Sequence, residues 1–271
     1  MLSVHTHTKR DHIGSLDSVI NTFDIGKVYM PKVTTTTKTF EDVVDAIKNK
    51  GLKITTFIAG TSFKLGEAIC TIIAPNSGTY KDLNNYSIVL KLTYKNNSFL
   101  FTGDAEGVSE QEMLSKGYDL KADVLKVGHH GSANSSTESF IKKVNPKYAV
   151  ISVGKGNEYG HPAKSTLDRL SAFKIQIYRT DLSGTITATS DGTTIKFDKL
   201  STPDKSQAPP SSGTITKPNS TKSDVTVYIT KSGEKYHLGN CSYLKSSKIA
   251  IKLKDAKAKG YTACSRCNPP K

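Results

Sequence analysis

The segment His5-Thr6-His7-Thr8-Lys9-Arg10-Asp11-His12-Ile13-Gly14 sets three imidazoles, a carboxylate and two cations in ten consecutive positions. Two later stretches have the same character: Phe99-Leu100-Phe101-Thr102-Gly103-Asp104-Ala105-Glu106 and Leu125-Lys126-Val127-Gly128-His129-His130-Gly131-Ser132. Imidazoles and carboxylates gathered in this way bind Zn²⁺, Mn²⁺ or Fe, with a carboxylate able to bridge two ions. Taken singly, each stretch reads equally well as a polar loop or a satisfied surface histidine turn. Three of them in order, each behind an apolar run, favour a metal site. A bound ion of this kind lowers the pKa of water toward neutrality.

Around these stretches the periodicity alternates between short strand-like runs and helical segments. Helices are expected at residues 16–23, 39–50, 109–116, 137–144 and 163–172, and strands at 53–58, 68–74, 87–94, 98–102, 123–127, 148–153 and 175–178. Thr39 and Asp42 suggest the start of the second helix and Gly51 its end, and Asn96-Asn97 suggests a tight hairpin. A second hairpin is expected over Ser190-Asp191-Gly192. The pattern is that of an α/β fold of packed layers. Residues 199–223 lose all periodicity and fill with Ser, Thr, Pro and Lys, as a linker does. The expected organisation is therefore a first domain at 1–198, a linker at 199–223 and a small module at 224–271.

The 271 residues suffice for a domain-sized core plus an appendage, and no apolar run approaches the ~20 residues that cross a bilayer. Lys and Arg number 38 against 24 Asp and Glu, a net charge of +14. Half of that excess, 10 basic against 3 acidic residues, lies in 224–271. Such a balance favours a polyanionic partner, nucleic acid or an anionic cell surface. For residues 1–223 a solvated lysine surface is the preferred reading, and for the tail nucleic-acid contact and a wall-binding or solubilising role stand even. Cys70 sits alone in an apolar run and reads as a core residue.

The motifs are more specific than their ligand chemistry. THTKRDHIGSLDSVI resembles the His-x-His-x-Asp-His-x-Gly motif of metallo-β-lactamase-fold hydrolases. NNYSIVLKLTYKNNSFLFTGDAE, LKVGHHGS, SVGKGNEYGHP and YRTDLSGTI are similar to the metallo-hydrolase domain of ComEC-type competence proteins. The resemblance runs over residues 4–198. It implies an αββα sandwich that here lacks its N-terminal strands, because the histidine motif begins at residue 5. It implies that His7, Asp11, His12, Asp104 and His130, with His129 as the less favoured neighbour, are metal ligands. Asp11 and His161 take catalytic parts, and Ser132 and Lys9 touch substrate. Lys9 departs from the pattern, since the family has His or Asp there and an ammonium repels a cation. The mid-chain histidine ligand is also replaced, by the Asn84–Ser87 region. One firmly held Zn²⁺ (or Mn²⁺) is expected, with a second weak or missing.

In the tail, His237-x3-Cys241 is followed after 22 residues by Cys264-x2-Cys267. Three cysteines and a histidine in this spacing suit one structural Zn²⁺ better than a disulfide framework. A module of ~45 residues needs such a staple. Residues 253–259 read as a helix stopped by Gly260. The string resembles a C-terminal module of secreted bacterial nucleases and hydrolases and, more distantly, Ada-type zinc domains. That implies zinc and leaves two roles open for the tail, DNA contact or a cationic wall-binding or solubilising one.

The function expected from the resemblance is metal-dependent hydrolysis, with a phosphodiester in DNA as substrate. Asp11 would orient the attacking water, and His161 and nearby lysines would steady the phosphate charge. The rival is a catalytically impaired chain that binds nucleic acid or a cell-surface polymer. The resemblance implies an extracellular or cell-surface location. The chain as written carries no signal peptide and is expected in the cytoplasm if Met1 is its genuine start.

Overall fold

The structure is a computed structural model and describes residues 2–202, 226–230, 233–238, 241–244, 247–264, 267 and 269. The expected linker lies outside the described residues from 203 onward. The chain divides into two compact units, residues 1–208 and 209–271.

In the first unit, β1 (Leu2–Val4), β2 (Lys27–Tyr29) and β3 (Ile54–Thr55) form a parallel three-stranded sheet. A seven-stranded sheet follows from β4 (Ser62–Leu65), β5 (Ala68–Ala74), β6 (Val89–Tyr94), β7 (Asn97–Phe101), β8 (Val124–Lys126), β9 (Tyr148–Ile151) and β10 (Gln176–Arg179). Its strands lie in sequence order. The first four pair antiparallel, and β7 through β10 pair parallel. Helices α1 (Arg10–Ile13), α2 (Leu16–Thr22), α3 (Lys38–Asn49), α4 (Gly107–Ser115), α5 (Glu138–Val144) and α6 (Lys164–Ala172) connect the strands.

Burial follows the strand and helix periods. Ile20, Val28, Met30, Val43 and Ile47 form one apolar cluster between the small sheet and α2 and α3. Val89, Leu100 and Leu125 of the large sheet meet Met113 of α4 and Phe140 and Val144 of α5 in a second cluster. Ala149, Ile151 and Ile177 meet Ile141 and Leu170 in a third. Each fully buried Ile, Leu or Phe contributes about 1.5–3 kcal/mol. The two sheets touch through Tyr29 on β2, Phe57 between β3 and β4, and Phe63 on β4; Phe57 stacks on Tyr29 and on Phe63 with ring centroids 3.9 and 5.4 Å apart. Cys70 is 1% exposed, the core residue expected.

Local expectations shift in three places. The N-cap of α3 is Thr37, whose hydroxyl accepts from Phe40 N, so the expected Thr39/Asp42 start lies two residues inside the helix. The β6–β7 register pairs Tyr94 with Asn97 and puts Lys95-Asn96 in the turn, with Lys95 at φ +51°. Asn97 is instead a buried strand residue whose amide donates to Thr193 O and accepts from Ser190 Oγ. The expected strand over 87–94 starts at Val89, because Leu83–Tyr86 forms a 3-10 turn and Ser87 is committed to Asp104. The short β1, β2 and β4 leave too few alternating positions to be read from periodicity.

In the second unit, Thr226–Ile229 pairs antiparallel with Ile249–Lys252, and Lys235–Tyr236 pairs parallel with Thr262–Ala263. A helix at Leu253–Ala258 ends at Gly260 (φ +80°), as expected. Val227, Ile229, Tyr236, Leu253 and Ala256 make its core.

Candidate metal centre

Every loop of the site follows the C-terminal end of a parallel strand, the edge at which parallel sheets open a crevice. His7 to His12 follow β1, Asp104 follows β7, and His129 and His130 follow β8. Residues 152–161 follow β9, and Thr180 follows β10. Together they line a cleft of about 750 Å³, which includes Lys9, Asp11, Asp104, His129, His130 and His161.

Two glycines let these loops close. Gly103 sits at φ +55°, and a Cβ there would lie 2.9 Å from Thr6 Cβ, so only glycine fits between β7 and Asp104. Gly131 sits at φ +86° with Pro162 against it, where a Cβ would meet Pro162 Cβ at 2.6 Å. His129 and His130 themselves take left-handed conformations (φ +47° and +53°), strain of the kind that folds retain at functional sites. His130 Nδ1 donates to Ser152 O at 2.7 Å, which sets its tautomer and leaves the Nε2 lone pair facing the site.

Asp11, His12, Asp104 and His130 offer one ligand atom each, all within 4.8 Å of one another. His12 Nε2 lies 3.0 Å from Asp104 Oδ1, and His130 Nε2 lies 3.0 Å from Asp11 Oδ2 and 3.5 Å from Asp104 Oδ1. Yet His12 Nε2, His130 Nε2 and both carboxylate oxygens of Asp104 are buried with no aligned hydrogen bond. Buried polar atoms without partners are costly. Four of them, from two imidazoles and one carboxylate, converge with the Asp11 carboxylate on one point and match the donor set and charge of a divalent cation.

The electrostatics agree. The His130 imidazole holds the Asp11 carboxyl down to about 2, and Asp11 in turn raises His130. Burial works against the Asp104 charge, but His12, His130 and His129 outweigh it and keep Asp104 well below the usual carboxylate range. Burial lowers His7 to about 4 and also lowers His161.

The other expected site residues separate from this cluster. His7 is 1% exposed, and its Nδ1 accepts from Thr8 N at 2.9 Å and Lys9 N at 3.0 Å. His129 turns to Glu106, with Nδ1 and Oε1 3.0 Å apart, and so stands beside the four-residue cluster. His161 lines the cleft 5.6 Å (ring centroids) from His129, held by Asn157, which accepts from His161 N and donates to His161 O. Lys9 also lines the cleft, its Nζ donating to Asn84 Oδ1 at 2.7 Å. Ser132 is buried in the turn after His130; its Oγ accepts from Asn134 N and its carbonyl accepts from Thr166 Oγ1, so it anchors the loop.

Sequence reasoning missed the polar relay behind the cleft. The Asn84 amide donates to Glu106 Oε1 at 3.2 Å, and Asn85 Oδ1 accepts from Glu106 N and Ser109 N at the start of α4. Asn84 and Asn85 stand at the head of the NNYSIV motif, but nothing in their spacing tells which carboxylate they meet. Tyr159, 84% exposed at the cleft, stacks on His161 with centroids 5.9 Å apart.

In the second unit, His237, Cys241, Cys264 and Cys267 likewise gather within 4.8 Å. His237 Nδ1 lies 3.2 Å from Cys241 Sγ and 3.9 Å from Cys267 Sγ, and no disulfide joins the cysteines. Three thiols and an imidazole in this arrangement fit a structural Zn²⁺.

The family model for the metallo-beta-lactamase superfamily matches residues 4–155. ComE operon protein 3 of Bacillus subtilis (strain 168) is 35% identical over 181 residues, 67% of this chain and 23% of that protein. Competence protein ComA of Neisseria gonorrhoeae is 38% identical over 115 residues, 42% of this chain and 17% of that one. The chain thus spans less than a quarter of the length of these curated relatives. Among solved structures, Igni18, a metallo hydrolase of Ignicoccus hospitalis KIN4/I, aligns with a TM-score of 0.43 at 14% identity, over 73% of this chain and 79% of that one.

Proposed function

The chain belongs to the metallo-β-lactamase superfamily, and from that premise we propose that its first unit is a metal-dependent phosphodiesterase acting on DNA. The observation that carries this reading is the buried, unpartnered donor set of His12, Asp104 and His130 with Asp11, three of which (Asp11, Asp104 and His130) line an open cleft. These four residues would hold the ion. When bound, a Zn²⁺ or Mn²⁺ polarises a phosphoryl oxygen and makes water a competent nucleophile at neutral pH.

The chain's own groups supply the rest. Asp11 is half-exposed toward the cleft, and its carboxylate accepts a hydrogen bond from the attacking water and so aims it. His161, fixed by Asn157, faces the same cleft as a donor to a phosphate oxygen. Arg10 and Lys9 bring positive charge to the wall, which favours an anionic substrate. Choice of DNA rests on the resemblance to ComEC-type domains, on the competence named for one relative, and on the net charge of +14. The tail, at +7 over 224–271, would add a second contact to phosphates.

Metal-loaded protein is expected to cleave bis(p-nitrophenyl) phosphate and a single-stranded oligodeoxynucleotide, and to leave p-nitrophenyl acetate intact. Ester cleavage without phosphodiester cleavage would sink the assignment. No turnover with metal bound would favour the rival binding protein. Tyr159 offers a stacking face for a base, worth about 1–3 kcal/mol. Tyr159→Ala should therefore raise KM for the oligonucleotide roughly tenfold while leaving the small nitrophenyl diester unaffected. An equal loss on both substrates would assign Tyr159 to loop structure instead.

A further inference from the structure

Beside the metal cluster lies a second polar group that holds no ligand set. Lys9 is two positions before Asp11, and its Nζ is tied to the buried Asn84, whose own amide reaches Glu106. His7 spends its Nδ1 lone pair on the N–H groups of Thr8 and Lys9. In the neutral ring the proton is then on Nε2, which is buried without a partner. Of this group only Lys9 lines the cleft, with the His7 imidazole N–H and the Asn84 amide buried behind it. At this place the cleft presents an ammonium, which repels a second cation.

We infer that Lys9 is the second cation of this centre: its ammonium, braced by Asn84, binds an oxyanion of the substrate where a second metal ion would otherwise serve, so the first unit works with one resident ion. The inference rests on the reading of Asp11, His12, Asp104 and His130 as a metal site. A fixed ammonium neutralises phosphate charge with a directed, charge-assisted hydrogen bond and needs no ion to be recruited. Asn84 matters because a flexible lysine stem would lose side-chain entropy on binding, and a lysine already held loses less.

The test counts bound zinc per full-length chain after loading and desalting, and measures the affinity of the zinc-loaded protein for inorganic phosphate. The variants are Lys9→Gln, Lys9→Met and Asp104→Ala/His130→Ala. Expected are two ions in the wild type, one of them in the tail, and two in each Lys9 variant, which shows that the centre survives the change. Phosphate affinity should fall about tenfold or more in both Lys9 variants. Three ions in the wild type, or unchanged phosphate affinity in the Lys9 variants, would overturn the role of Lys9 with the metal site intact. Loss of an ion in both Lys9 variants would also overturn it, because the lysine would then be part of the scaffold. A different result, one ion in the wild type and still one in Asp104→Ala/His130→Ala, would remove the metal site itself.

Discussion

Asp104→Ala is expected to release one bound metal ion per chain and to lower phosphodiesterase turnover by on the order of 10³-fold or more. Asp104 is 1% exposed, and its oxygens stand between His12 and His130, the closest approach being 3.0 Å. Removing it takes away the buried negative charge that two neutral imidazoles cannot supply. The metal dependence of the stability change distinguishes a metal ligand from a structural carboxylate. Without metal, burial of Asp104 is outweighed by His12 and His130, which hold its carboxyl below the usual carboxylate range, so the variant loses the stability that this charge contributes at neutral pH. Added metal should raise the melting temperature of the first unit in the wild type and not in Asp104→Ala, because only the wild type gains from an ion that binds the folded state. Scanning calorimetry of both proteins, with and without chelator, reads this difference. An equal loss in metal and in chelator would show that Asp104 holds the fold and not an ion.

Cys264→Ser/Cys267→Ser is expected to abolish the fold of the second unit and leave the first unit unchanged. Among the described residues, the larger apolar cluster of that unit holds only five buried residues and the smaller one Leu244 with two of the cysteines, against an ordering cost of about 1.5 kcal/mol per residue. Such a core does not close the balance. A structural zinc site contributes on the order of 10 kcal/mol, and His237, Cys241, Cys264 and Cys267 lie close enough to take one ion. The expected readout is a collapse of amide dispersion for residues 226–269 in the double variant and in chelated wild type. Cleavage of the small phosphodiester should persist in the double variant. Retained dispersion would mean that the apolar contacts suffice and that zinc is no staple. If the tail also carries DNA, as proposed, oligonucleotide affinity should fall in parallel while small-substrate turnover does not.

The site was legible in sequence to the extent that its residues follow strand ends in short motifs. Asp11, His12, Asp104 and His130 are close neighbours in their own motifs, and the α/β alternation brings those motifs to one edge of the sheets. His237, Cys241, Cys264 and Cys267 were legible because Cys-x2-Cys and His-x3-Cys each fit a single tight turn. The direction of a ring was not legible. His129 and His130 are adjacent and chemically identical, but φ values of +47° and +53° turn them to different partners, Glu106 and the metal cluster. Likewise Thr37 in place of Thr39 at the α3 N-cap, and Lys95-Asn96 in the β-turn, follow from where strands and helices stop. Several residues around each position satisfy the same local preference.

The sequence alone determined the chemistry on offer and its order: apolar runs of strand and helix period, donor-rich loops behind them, a linker, and a cysteine-rich module. These are local properties, set by backbone periodicity and side-chain type. Tertiary structure alone decided which donors share a point in space, that Lys9 is braced by Asn84, that His7 faces backbone N–H groups, and that Ser132 anchors a turn. Those outcomes depend on strand register, on left-handed residues and on which buried polar atom finds a partner. Such choices are made between residues as far apart as Lys9 and Asn84 or Asp11 and His130, and no local pattern in the chain encodes them.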